Sequence, residues 1–129
     1  MRVEELRIGN LIEHNYFSSP PVTITGLKKD KGTDLVYISD PTFNTINIEQ
    51  VKPIPLTEEW LLRFGFEETT DKGLILYYEL SSGAYLEKVG EVLRLFDRGG
   101  YMLSHDNLKH VHQLQNLYFA LTSEELTIK

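Results

Sequence analysis

Apolar and polar residues alternate along most of this chain, and the period becomes helical in only two places, at 57–65 and 108–121. Alternation predicts strands that bury one face. Val22-Thr23-Ile24-Thr25-Gly26-Leu27, Asp34-Leu35-Val36-Tyr37-Ile38-Ser39 and Thr45-Ile46-Asn47-Ile48-Glu49-Gln50-Val51 all alternate, and the segment opening at Ile8 continues through Glu13. Four or five short strands in about fifty residues, with no helix, predict a small SH3-like or OB-like barrel, in which closure would remove exposed strand edges.

Pro53 and Pro55 end that series, because a proline can neither donate to a ladder nor continue it. A short helix is predicted next. Thr57 is the N-cap, Glu58 and Glu59 lie beside the positive end of the dipole, and Gly65 suits the left-handed position after the last turn. Trp60, Leu61 and Phe64 should pin this helix to a core. Strands over Leu74–Leu80, Ala84–Val89, Glu91–Phe96 and Tyr101–Leu103 follow, separated by Gly-containing turns. In the first of these, Leu74, Leu76, Tyr78 and Leu80 share one face. Ile75, Tyr77 and Glu79 form a mixed face expected to stand half exposed.

The C-terminal pattern predicts a helix over Leu108–Leu121, with Asp106 as its cap. Leu108, Val111, Leu114, Leu117, Tyr118 and Leu121 fall on one arc, while Lys109, Gln113 and Asn116 face away. His110 and Gln115 project from within the apolar arc and are predicted to be buried polar groups, each needing a partner. The whole reads as an α+β fold: an all-β lobe over 1–55, then an α+β lobe over 56–129, in which a meander is covered by the C-terminal helix.

Composition narrows the function without naming it. With 129 residues and no cysteine, disulfides, thiolate nucleophiles and cysteine–metal sites are excluded. The N-terminus lacks the apolar core of a signal peptide and no run spans a bilayer, so a cytoplasmic protein with no membrane partner is expected. The net charge of −6 disfavours nonspecific attraction to nucleic acid. The charge is uneven: 6 Lys/Arg stand against 7 Asp/Glu in residues 1–55, and 7 against 12 in residues 56–129.

Three segments carry a resemblance: Leu6-Arg7-Ile8-Gly9-Asn10, the run Pro-Ile-Pro-Leu-Thr-Glu-Glu-Trp-Leu-Leu-Arg-Phe-Gly-Phe at 53–66, and Val-His-Gln-Leu-Gln-Asn-Leu-Tyr-Phe-Ala-Leu-Thr at 111–122. Together they resemble a group of small uncharacterised proteins of Bacteroidetes gut bacteria and their phages or prophages. The resemblance implies a cytoplasmic, phage- or mobile-element-related context. It supplies no activity and no functional residue.

Candidate chemistry is sparse. His105, His110 and His112 fall within eight residues, but on a helix His110 and His112 diverge by about 200°. His105 and His112 would lie about 10 Å apart along the axis. No metal site and no cofactor are expected. The doublets Glu4-Glu5, Glu58-Glu59, Glu67-Glu68 and Glu124-Glu125 hold adjacent side chains that point apart, so none is a ready acid/base pair. The binding candidates are the aromatic pair Tyr16 and Phe17 and the basic tip Lys28, Lys29 and Lys31. The favoured function is a non-catalytic binding or adaptor module with a protein partner. A nucleic-acid-binding barrel using the Lys28–Lys31 hairpin and the Tyr16/Phe17 loop comes second, and a small enzyme centred on His110 third.

Overall fold

A computed structural model describes residues 1–14, 20–29, 31–40, 44–79, 82–104 and 107–129. The chain divides into two compact units, Met1–Ile54 and Pro55–Lys129. Each contains one antiparallel sheet.

The first unit holds β1 (Leu11–His14), β2 (Val22–Lys28), β3 (Leu35–Ile38), β4 (Thr45–Asn47) and β5 (Val51–Lys52), in the spatial order β4-β3-β2-β1-β5. Its core is the inward side of the alternation: Leu6, Ile12, Val22, Ile24, Val36, Ile38, Ile46 and Val51 are all buried. β2 carries a register shift between Ile24 and Gly26, and such an extra residue bends a strand. The Tyr37 side chain closes over Gly26, where a Cβ would lie 3.2 Å from Tyr37 Cδ2. Only glycine leaves that ring its place. The predicted strand over 45–51 is interrupted by a 3-10 turn, Ile48–Gln50. Gln50 Oε1 accepts the Asn47 backbone N–H at 2.9 Å, a local bond that competes with the ladder. The predicted strand from Ile8 begins only at Leu11, after a turn in which Gly9 takes a φ of 99°. No strand pair among the described residues joins β4 to β5, so the sheet is open in its hydrogen bonding.

The second unit begins with α1 (Glu58–Arg63). The Thr57 side chain accepts the Trp60 N–H, and Gly65 takes a φ of 90° past the last turn. Then come β6 (Phe66–Asp71), β7 (Leu74–Glu79), β8 (Tyr85–Val89) and β9 (Val92–Phe96), paired in sequence order. β6 escapes sequence reading because five of its six side chains are exposed. Backbone pairing along all six residues to β7 defines it. Lys72 and Gly73, both at positive φ, make the two-residue turn between them.

Two expectations are corrected here. Tyr101–Leu103 forms no strand; only a single bridge joins Met102 to Phe96. The segment instead covers the free edge of β9. Leu103 N–H reaches Leu95 O, Ser104 Oγ accepts Leu95 N–H, Asn107 Oδ1 accepts Leu93 N–H, and Leu108 N–H reaches Leu93 O. These bonds also correct the C-terminal helix. Because residues 107–108 are committed to β9, and Pro55 pairs with His110, α2 starts at Val111 and runs to Thr122. Its N-cap is His110, and Gln113 Oε1 accepts the Lys109 and His110 N–H groups; Asp106, the expected cap, and His105 lie outside the described residues. His110 therefore stands outside the helical phase and is half-buried, while Leu121 is exposed. The buried residues of α2 are Val111, His112, Leu114, Gln115 and Tyr118.

The mixed face of β7 is the inner one. Tyr77 and Glu79 are buried; of the expected apolar face Leu76 is buried, Leu74 exposed and Tyr78 half-buried, and Leu80 lies outside the described residues. No helix among the described residues is long and apolar enough to cross a membrane.

Candidate functional site

The inner face of the second sheet is left open at one end, above Tyr77, Lys88 and Leu93. A cleft of about 350 Å³ lies there, within the size range of sites that hold small ligands. Register explains its floor: Tyr77 is opposite Glu68 on β6 and Leu86 on β8, while Lys88 is opposite Ile75 and Leu93. Leu56, Thr57 and Glu58 form one wall, and Asn107, Leu108 and Lys109 the other. Leu56 N–H donates to Lys109 O at 2.9 Å, which fixes the two walls to each other. Glu91, in the β8–β9 turn, completes the lining.

The cleft combines apolar and charged parts. Leu56, Leu93, Leu108 and the Tyr77 ring supply apolar surface; Glu58, Glu91, Lys88 and Lys109 supply charges of both signs. Tyr77 lines the cleft and is only 2% exposed as a whole residue. Burial, followed by the nearby Glu58 and Glu68 carboxylates, holds its hydroxyl above the usual tyrosine range. The neighbouring Glu58 carboxyl, through hydrogen bonding and charge, raises the Glu68 pKa above the ordinary carboxylate range, against the opposing pull of Lys88. The two glutamates come from two different doublets, each of which the sequence presents as a solvated pair. Only the register between β6 and β7 places Glu68 beside Tyr77, and no sequence spacing signals it.

A second polar pair lies in the first unit. His14, at the end of β1, is buried, and its Nε2 lies 3.3 Å from Asp40 Oδ2. It follows Ile12 on the inward face and so sits at the rim of that unit's core. No motif around His14 or Asp40 marks the pair in the sequence. Its only sequence signal is the alternation that also buries Ile12.

Of the residues singled out from sequence, Tyr16 and Phe17 lie outside the described residues. Lys28, Lys29 and Lys31 are exposed at the β2–β3 hairpin, but they do not form an uncompensated basic patch. Lys29 Nζ pairs with Glu4, a contact that raises the lysine's pKa and lowers the glutamate's. His110 stacks on His112, with ring centroids 5.7 Å apart and planes 15° apart. The predicted 200° divergence fails because His110 is extended and not helical. Gln115 is buried. No group of three or more metal-ligating side chains occurs among the described residues.

The outer face of the second sheet carries an aromatic row. Tyr85 stacks on Phe96 at 5.2 Å and 7°, and Tyr78 lies 5.2 Å from Tyr85 at 33°. Base-stacking platforms offer ring faces to a ligand. Here each Tyr85 face meets a neighbouring ring, so the row packs against itself.

No family model, no curated protein and no solved structure matches this chain.

Proposed function

We propose that this protein is a non-catalytic adaptor, with a first unit that engages a protein partner and a second unit that receives a ligand. The observation that carries the reading is the cleft on the second sheet, where Glu58, Glu91, Lys88 and Lys109 converge beside Leu56, Leu93, Leu108 and Tyr77. Its volume suits a small ligand, and the converging groups of both charges suit a polar one.

For the first unit we propose an SH3-like small barrel. Support comes from the strand order β4-β3-β2-β1-β5, the bulge that bends β2, and the 3-10 turn before β5. A protein partner is favoured over nucleic acid because the chain is acidic and the Lys29 charge is engaged by Glu4. The phage-related setting rests on the sequence resemblance alone.

The test is an amide NMR screen of the full chain against a fragment set of mixed charge and polarity. Hits are expected to move the amides of Tyr77, Lys88, Leu93 and Asn107 and to be recovered unchanged after incubation. Hits that never touch these amides, or that are consumed, would overturn the reading.

A further inference from the structure

We propose that the free edge of β6 is a docking strand for an extended, lysine- or arginine-bearing segment of a partner protein, which adds to the second sheet beside β6. This edge gives the adaptor reading a contact on the second unit and does not depend on the cleft being filled.

Register decides which backbone groups are open. Glu79 N–H donates to Ala84 O, toward β8, and hydrogen-bonding direction alternates along an antiparallel strand. Ile75, Tyr77 and Glu79 therefore bond toward β8, and Leu74, Leu76 and Tyr78 toward β6. The partners of these last three are Asp71, Thr69 and Glu67, so the N–H and C=O groups of Glu68 and Thr70 point out of the sheet. No hydrogen bond among the described residues engages them. The opposite edge of the sheet is sealed. On β9, the N–H and C=O groups of Leu93 and Leu95 are all bonded by the segment from Leu103 to Leu108. β6 has no such cover among the described residues, no proline, and no register shift along its six residues. Those are the usual devices that close an edge.

Charge selects the occupant. Glu67 and Asp71 lie on one face of β6 and Glu68 on the other, all three exposed. Lys72 stands in the turn beyond the strand, and β7 separates Lys88 on β8 from this edge. A second copy of the chain fits poorly. Antiparallel pairing of two β6 strands sets Glu68 opposite itself or Glu67 opposite Asp71, and like charges directly opposite destabilise. A segment with lysine or arginine at alternate positions meets Glu67 and Asp71 with opposite charge while its backbone bonds Glu68 and Thr70.

The experiment is amide NMR with hydrogen exchange on the full chain, using short capped peptides that alternate lysine and valine, or glutamate and valine. In the free protein the Glu68 and Thr70 amides should exchange faster than those of Glu67 and Thr69. The lysine peptide should shift and protect them saturably, and bind at least about tenfold more tightly than the glutamate peptide. Only one alternate set of amides in an added strand faces β6. Of two lysine peptides N-methylated on the valines or on the lysines, one should therefore bind at least about tenfold more weakly than the other. Thr70→Pro deletes an outward N–H that β7 does not use, and should weaken the lysine peptide while the β6–β7 hairpin persists. Should Thr70→Pro fail to fold, Glu67→Lys carries the same test from an exposed position and should also weaken it. Equal affinity of the two methylated peptides, equal binding of the glutamate peptide, or full affinity in either folded variant would overturn the proposal. So would protection of Glu68 and Thr70 that rises with protein concentration alone, which would make the occupant a second copy. If fragments fill the cleft and no peptide docks, the edge proposal falls and the cleft reading stands.

Discussion

Tyr118 on α2 donates its hydroxyl to Glu79 Oε2 on β7 at 3.0 Å, with both residues buried. The same oxygen accepts the Ser82 N–H at 2.9 Å and the Ser82 hydroxyl at 2.8 Å. These bonds let a carboxylate occupy the inner face of the sheet, where an unbonded one would be costly. They also tie the C-terminal helix to the turn between β7 and β8. Tyr118→Phe should therefore destabilise the protein by about 1–3 kcal/mol, and Ser82→Ala by a comparable amount. Because both donors share one acceptor, the double variant should depart from additivity by more than about 0.5 kcal/mol. Urea denaturation of the four proteins checks this; strict additivity would mean the bonds act independently.

The short α1 depends on its ends. Thr57→Ala removes the acceptor for the Trp60 N–H and should cost about 1 kcal/mol. Gly65→Ala forces a Cβ into a φ of 90°, within 2.8 Å of the Lys129 side chain, and should cost on the order of 1–3 kcal/mol. Thermal unfolding followed by the single tryptophan, Trp60, reads both; an unchanged midpoint in either would show that end to be unimportant.

The Glu58–Glu68 contact predicts a pH dependence with a definite sign. Glu68 keeps its proton to higher pH in the folded chain than in the unfolded one. Its contribution to stability is thus full below the ordinary carboxylate range and is lost as pH rises through the raised folded value. Glu68→Gln cannot ionise, so its stability relative to wild type should improve from about pH 4 to about pH 7. Denaturant midpoints across that range test it; a difference that stays constant or narrows would show that the two carboxyls do not compete for a proton.

The hairpin lysines give a discriminating negative. With Lys29 paired to Glu4 and a net charge of −6, no measurable complex with single-stranded oligonucleotides is expected near physiological salt. Fluorescence anisotropy at two salt concentrations measures this. A submicromolar complex that weakens steeply with salt would favour the nucleic-acid reading.

Local signals in the sequence determined a good deal of this protein. Alternation marked β2, β3, β7, β8 and β9, because a half-buried strand must put its apolar residues on one side. Thr57 and Gly65 marked the ends of α1, because a cap bond and a left-handed backbone are properties of the residues themselves. The α+β class and the covering C-terminal helix follow from the same patterns.

Tertiary structure decided the rest. β6 became a strand through its backbone pairing to β7, which its polar side chains do not advertise. Glu79 is accommodated on the inner face because donors from Ser82, three residues on, and from Tyr118, far along the chain, meet its carboxylate there. α2 lost its expected first turn because Asn107 and Leu108 bond β9 instead, which took His110 out of phase and left His112 buried. The cleft depends on β6–β7 register and on the Leu56–Lys109 bond. Periodicity reports which way each side chain points along its own element, and it holds no information about which elements become neighbours.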